Sequence, residues 1–554
     1  MTLKRHKSVR PVSNQQLGLH GHAHAKSDCG VRNVLKRLRA QRGQAFVIAN
    51  GRKVAVRLLG MADNDQLSWQ SEEAVGRGPV RLEFSGPAIG YQAHLESLGE
   101  HGGTLVTSLP THFESVRVRR EPRFPTPSGV HFSLRGAEQA ASYPLTNISD
   151  RGMQFRSDTD LSFLQLGHRL DADVSFMGAL RVRVTLTVRH VTVSEDLKNW
   201  LVGGSLSFAS SEDECRWHER VDAVRHSLTQ VGKLYTRDMW ELFEAAGYFA
   251  LSNKNSGEFV RYREAFERTS RYLSNQPEHG VQVVFPSARG IEATASAVAE
   301  SEQTAVIYHV AKRPGEDPRG ISSKLVLRSV YEHALTWATR RHVQWVSAWV
   351  QDVTRFSCGL HRDFCAAHTG NGSAGVFTFR ALEIAANPDA PRGRYQVTDA
   401  GDQLDHVLSS FRARHPQPIG EARGWHPAAF ANPSSAFGRS MPRERRVLVA
   451  HKDGVLCAAA VLECAQPGLH LFGIFDSCYV VKFGDHEEAL QALLNEASRW
   501  YAARAKTHFV YASDDLARQI PGARDLGVTH ESIFSIDLMS KFLEHLWQLT
   551  AEGT

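Results

Sequence analysis

At 554 residues the chain exceeds the size at which a single hydrophobic core keeps growing, so three or four domains are expected. Its 42% hydrophobic and 22% charged residues are those of a globular protein, and no stretch approaches the ~18 consecutive apolar residues of a membrane helix. A formal charge of +6 is too small for this length to imply DNA or RNA as a partner. Seven cysteines, scattered and with no secretory signal before them, exclude a disulfide framework and point to the cytoplasm.

Residues 1–30, with Lys4, Arg5, Lys7 and Arg10, are too polar to bury a core and read as a disordered basic tail. Val31, Leu35 and Leu38 fall at i, i+4 and i+7, which predicts one short amphipathic helix. Alternation at Val54/Val56/Leu58 and at Val80/Leu82/Phe84, punctuated by glycines, then predicts a small β-barrel over 31–112. Pro110, Pro122, Pro125 and Pro127 surround an arginine-rich segment that cannot be a regular helix, so it is expected to be an extended connector. A second β-domain, 113–195 with that connector, contains Val182/Val184/Leu186/Val188 alternating against Arg181, Arg183, Thr185 and Thr187.

Residues 196–229 read as a linker. Beyond it strands and helices alternate, and two units share an order of elements, 230–390 and 391–554. The first runs from strands over 281–310 through a helix near 330–337 to a strand at 343–350. The second runs from strands over 447–461 and 469–475 through a helix at 487–503 to a strand at 509–511. Each unit is expected to have its own central sheet flanked by helices.

The chemistry concentrates around residue 120. Arg119 and Arg123 lie four apart with Arg117 and Arg120 beside them, and Asn147-Ile148-Ser149-Asp150-Arg151-Gly152 follows. A guanidinium can donate twice to the O6/N7 edge of guanine, stack on its face and pair with phosphate. Asn147 and Ser149 supply short polar groups, and Gly152 allows close backbone approach. A solvated linker followed by an ordinary turn is the plain alternative.

Arg119-x-x-x-Arg123 followed by Asn147-x-Ser149-x-x-Gly152 resembles the two-part signature of PilZ domains, which bind cyclic di-GMP. The preceding barrel resembles the N-terminal domain of YcgR-type flagellar brakes. The resemblance implies a YcgR-like barrel, a PilZ barrel and a site in which Arg119 and Arg123 clamp guanine and phosphate. Asn147, Ser149 and Gly152 would be barrel-surface contacts, with Arg120 and Arg151 secondary. Pro122 departs from the usual motif. The ligand-free connector is expected to be solvated and the motif open.

The order of elements after 230 resembles tandem GNAT acyltransferase folds, which makes the fold class multidomain β plus α/β. Their pyrophosphate turn would fall near 480–488, where there is one glycine, Gly484, and the three carboxylates Asp485, Glu487 and Glu488 carry the wrong charge; in the first unit the matching stretch is placed at 324–330, which has no glycine. A module without acyl-CoA chemistry is therefore favoured, with no cofactor. The competing reading is a cyclic di-GMP-gated acyl-CoA-dependent N-acyltransferase using acetyl-CoA. The implied output is motility, biofilm or exopolysaccharide control through an unidentified protein partner, such as the flagellar motor or exopolysaccharide machinery.

Three other patterns are set aside. Gly370–Gly375 fits G-x-G-x-x-G but precedes a strand-like run, so it is expected to be a mobile loop. Cys358, His361, Cys365 and His368 lack the spacing of a common zinc module, and His20, His22 and His24 lie in the tail. No metal site and no catalytic constellation follow, and Asp399, Asp514 and Asp515 have no identifiable base or nucleophile beside them.

Overall fold

The computed structural model describes residues 31, 35, 38 and 45–550, apart from 50–51, 63–64, 72, 86–89, 117–122, 128, 136–141, 160, 162, 177–179, 194–198, 233–234, 253–255 and 432–440. It divides into two compact units, 1–123 and 124–554.

The first unit is a closed barrel. Strands β1 (Ala45–Ala49), β2 (Arg52–Met61), β3 (Gln66–Ser71), β4 (Gly78–Ser85), β5 (Gly90–His101) and β6 (Thr104–Ser108) form the ring β1-β2-β3-β6-β5-β4, with β4 pairing back to β1, and β7 (Glu114–Val116) is added beside β5. Closure removes the exposed edges that an open sheet of this size would carry. Val54, Val56, Leu58, Val80, Leu82 and Phe84 all point inward, so period-two patterning gives the wall its buried face. Val31, Leu35 and Leu38 are helical and join the same core.

The second unit opens with another closed six-stranded barrel. Its strands are β8 (Phe124–Pro125), β9 (Val130–Leu134), β10 (Ser142–Ser149), β11 (Gly152–Ser157), β12 (Arg169–Phe176), β13 (Leu180–Val193) and β14 (Trp200–Phe208). The ring runs β11-β14-β13-β12-β9-β10, and β10 pairs back to β11. Val182, Val184, Leu186 and Val188 are buried, while Arg181 and Arg183 face solvent. Part of the stretch read as linker is structural. β14 closes the ring, and α1 (Ser211–Arg225) follows it with Trp217 and Val221, one turn apart, in the barrel core.

The remainder is α/β. Strands β15 (Gln230–Val231), β16 (Gly280–Ser287), β17 (Gly290–Ala299) and β18 (Thr304–Lys312) lead through α2 (Ser323–Arg340) to β19 (Trp345–Gln351) and β20 (Ala374–Ala385). Strands β21 (Gln396–Asp399), β22 (Arg443–Lys452), β23 (Val455–Ala465) and β24 (Ser477–Lys482) lead through α3 (Glu487–Ala502) to β25 (His508–Ser513) and β26 (Arg524–Ser535). In each half a helix crosses between two parallel strands, β18 to β19 and β24 to β25.

Three expectations are corrected here. The two halves share one twelve-stranded sheet, because β26 inserts between β19 and β20, and β20 pairs onward to β25. Residues 447–461 are two antiparallel strands turned at Asp453 and Gly454, both with positive φ. Residues 469–475 form turns, and the strand begins at Ser477. The apolar run Leu469, Leu471, Phe472 and Ile474 is buried as a packed loop instead.

Candidate functional site

The backbone pairs the residues that follow Arg123 with the strand that carries Asn147 and Ser149. Immediately after Arg123, Phe124 and Pro125 pair antiparallel with Ile148 and Asn147. Thr126 extends this join, its N–H lying 3.2 Å from the Thr146 carbonyl and its hydroxyl donating to the Leu145 carbonyl. Proline is tolerated because β8 is the edge strand of the sheet. Arg117, Arg119, Arg120 and Pro122 lie outside the described residues.

Ser149 pairs with Gly152, so Asp150 and Arg151 are the two-residue turn of the β10–β11 hairpin. Asn147 donates through Nδ2 to Gln154 Oε1 at 2.5 Å, and Gln154 Nε2 lies 3.1 Å from His190 Nε2. His190 in turn packs over Gly203, where a Cβ would meet the ring at 2.0 Å. Glycine is thus required for this close approach.

Ser149 and Gly152 are not open. Ser149 is 4% exposed and Gly152 is buried. The Ser149 hydroxyl lies 3.4 Å from the Gly152 carbonyl, and the Trp217 indole N–H donates to the Ser149 carbonyl at 3.0 Å. The reason is α1, which a reading of 196–229 as linker left out.

The turn is also held from the far side. Arg340, at the end of α2, donates through Nε to Asp150 Oδ1 at 2.7 Å and through Nη1 to Asp222 Oδ2 at 2.5 Å. Arg225 of α1 lies 3.7 Å from the other Asp150 oxygen, and Arg151 Nη2 is 3.2 Å from His342 Nε2. Burial opposes the charge on Arg340, but Asp222 and Asp150 outweigh it and raise its pKa above the ordinary arginine value. Next to this clasp His226 and His333 stack at 4.4 Å, and burial holds both well below the usual histidine range. Trp217, Arg225 and Arg340 are the residues sequence reasoning missed; only Trp217 carried a signal, its i, i+4 spacing with Val221.

The α/β region has a separate recess. β18 and β19 pair in parallel only from Thr304↔Trp345 to Ile307↔Ala348 and then part. His309, with φ 50°, marks the break, and a cavity of about 80 Å³ lies there against Tyr308, Tyr331, Trp349, His361 and His470. His309 Nε2 accepts from the Leu471 N–H at 3.3 Å, so its proton sits on Nδ1, which has no partner among the described residues.

The turn before α2 spans 313–322 and holds Gly315 and Gly320 at positive φ, with Arg313, Arg319 and Lys324 nearby. The glycine-free stretch 324–330 lies inside the helix. In the second half, Glu487 opens α3 and is paired with Lys482 and with Arg518, the latter at 2.6 Å.

Gly370–Gly372 form a single helical turn, and Gly375 already belongs to β20, facing Ile533. Cys358 donates to the Gln351 carbonyl, His361 meets the Tyr331 hydroxyl, and His368 bonds the Phe364 carbonyl. The tail histidines lie outside the described residues. Asp399 pairs with Arg446, and Asp515 with Arg518. No helix among the described residues is long and apolar enough to cross a membrane.

No protein-family model and no curated protein matches the sequence. Among solved structures, the chain is similar over 37% of its length to 97% of K. pneumonia MrkH in complex with c-di-GMP, at 17% identity and TM-score 0.32. It is similar over 37% to 93% of Escherichia coli YcgR in complex with c-di-GMP, at 16% identity and TM-score 0.29. It is also similar over 56% to 73% of a probable N-acyltransferase from Enterococcus faecalis, at 12% identity and TM-score 0.26. The solved neighbours therefore include c-di-GMP-bound regulators on one side and an acyltransferase-type protein on the other.

Proposed function

We propose that this protein is a cytoplasmic receptor for cyclic di-GMP. Arg119 and Arg123 hold guanine and phosphate, and Asn147, Ser149 and Gly152 contact the dinucleotide from the barrel, with Arg120 and Arg151 in support. The observation that supports the reading is the β8–β10 pairing, in which Phe124 and Pro125, the residues after Arg123, lie opposite Ile148 and Asn147. Both arms of the motif would then reach one ligand. The GNAT-like region is the output module, and motility, biofilm or exopolysaccharide control through a protein partner is the process it would serve. Isothermal titration of the full chain with cyclic di-GMP tests this directly. Binding that is weakened about tenfold or more in Arg123→Ala is expected; no heat from the wild-type protein would overturn it.

A second reading, a cyclic di-GMP-gated acyltransferase using acetyl-CoA, is favoured by the cavity where β18 and β19 part and by the turn at 313–322, which holds Gly315 and Gly320 at positive φ. Backbone N–H groups at such a turn suit a pyrophosphate. Acetyl-CoA titrated into the same preparation separates the two: binding supports the enzyme, and silence alongside cyclic di-GMP binding removes it.

A further inference from the structure

Asp150 is a carboxylate in a turn that the proposed function assigns to a doubly anionic ligand. It directly follows Ser149 and precedes Gly152 by two residues. Left alone, its charge would oppose the approach of a phosphodiester. It is not alone. Arg340 and Arg225 flank it, Asp222 shares Arg340, and the side chains of Asp150, Asp222 and Arg340 are only 15–17% exposed. Two carboxylates and two guanidiniums leave this cluster electrically neutral, and at that exposure solvent screens it weakly. The cation in hydrogen-bond contact with Asp150 comes from α2, which belongs to the α/β region and lies 190 residues further along the chain.

We propose that Arg340 is a positioning residue of the cyclic di-GMP site, supplied by the α/β region to neutralise Asp150 so that the barrel can accept a dianion. The inference rests on the cyclic di-GMP reading. It makes the GNAT-like region part of the receptor: the barrel's ligand site is electrostatically complete only while α2 is docked. By linkage, whatever disturbs the end of α2 lowers affinity for the dinucleotide, and the dinucleotide favours the docked helix to the same extent.

A charge cycle tests this, by titrating cyclic di-GMP at one fixed low salt concentration into full-length wild type, Arg340→Gln, Arg340→Lys, Asp150→Asn and the Asp150→Asn/Arg340→Gln double variant. Arg340→Gln leaves the cluster with net negative charge and is expected to weaken binding about fivefold to twentyfold. Arg340→Lys keeps most of the affinity. The double variant recovers it, because the repelling carboxylate is gone; a purely structural role for Arg340 would not be rescued by removing its partner. Asp150→Asn alone binds more tightly than wild type. Wild-type affinity in Arg340→Gln, or a double variant as weak as Arg340→Gln, overturns the inference. Should Arg340→Gln not melt cooperatively, Asp150→Asn decides alone, and affinity equal to or below wild type overturns it. A wild-type protein that does not bind cyclic di-GMP refutes the receptor reading, and this inference with it, whereas binding that is indifferent to all four variants refutes this inference only.

Discussion

The Trp217 indole N–H donates to the carbonyl of Ser149 at 3.0 Å, inside the core of the second barrel. The bond ties the central residue of the predicted motif to a helix that the chain reaches only 68 residues later. Phe176 and Phe208 pack on the same indole, with ring centroids at 5.9 and 6.3 Å. Position 217 therefore separates packing from hydrogen bonding. Trp217→Phe keeps most of the buried area but removes one buried hydrogen bond, and should cost about 0.5–1.5 kcal/mol. Trp217→Ala adds a cavity and should cost roughly 3–5 kcal/mol. Urea unfolding followed by tyrosine and tryptophan emission measures both, and equal losses in the two variants would contradict this division.

In the proposed site Arg119→Ala and Arg123→Ala would each remove charge-assisted contacts to guanine or phosphate, and each should weaken cyclic di-GMP binding by about 1.5–3 kcal/mol. That is roughly tenfold to more than a hundredfold in affinity. Lysine at either position should restore little, because a point charge lacks the planar fork and the stacking face. Ser149→Ala behaves differently from what an open motif implies. Ser149 is buried, so the variant should lower the melting temperature as well as the affinity, whereas the arginine variants change affinity. Titration paired with thermal melts checks both halves.

Much of this was written in residue order. Alternation in β13 exposes Arg181 and Arg183 and buries Val182, Val184 and Leu186, as a half-buried strand must. Phe124 and Pro125, next to Arg123, pair with the strand that carries Asn147 and Ser149, because a short edge strand needs only a few residues of register. What stayed hidden was non-local. The pairing of β26 with both β19 and β20 is a choice among many buried strands, and β26 buries Thr529, His530, Glu531 and Ser532, so no apolar period marks it as a central strand or names its neighbours. Arg340 reads as an ordinary basic residue at a helix end, and its role depends on Asp150 folding against it.

Stability should fall steeply below pH 6.5. Burial holds His333 down at about 4, His415 at about 4 and His361 at about 3, and keeps His226 and His309 well below the usual histidine range. Above pH 6.5 these histidines are neutral in both the folded and unfolded chain, so they add no pH dependence. Between 6.5 and about 4 the unfolded chain takes up protons that the fold refuses. Each histidine then removes stability at up to about 1.4 kcal/mol per pH unit. Glu332, Asp476 and Glu531, raised by burial, work in the opposite direction but are fewer. Melting temperatures should be level from pH 8 to 7 and drop between 6 and 5; a level profile down to 5 would mean these rings accept protons in the folded state.

Arg423 and Glu531 form the centre of the twelve-stranded sheet's polar interior. Both side chains are 0% exposed, and Arg423 Nε and Nη2 lie 3.0 and 2.9 Å from Glu531 Oε2. Arg423 Nη1 reaches Glu463 at 3.1 Å, and the guanidinium carbon sits 4.5 Å from the Tyr479 ring centroid. Burial opposes this charge, but Glu531, Tyr479, Glu463 and Glu300 together outweigh it and raise the Arg423 pKa well above the ordinary value. Glu463 has further partners in Arg443 and Arg445, which help hold its carboxyl down at about 2 despite burial. Glu531 depends on Arg423 far more. Arg423→Ala therefore strands a buried carboxylate and should cost roughly 3–5 kcal/mol. Arg423→Met with Glu531→Gln removes both charges while keeping volume and should cost clearly less than the single alanine change, since replacing a buried pair is cheaper than breaking it. Chemical denaturation of the three proteins at pH 7.5 measures the difference, and a double variant less stable than Arg423→Ala would show that the pair contributes more than the desolvation it endures.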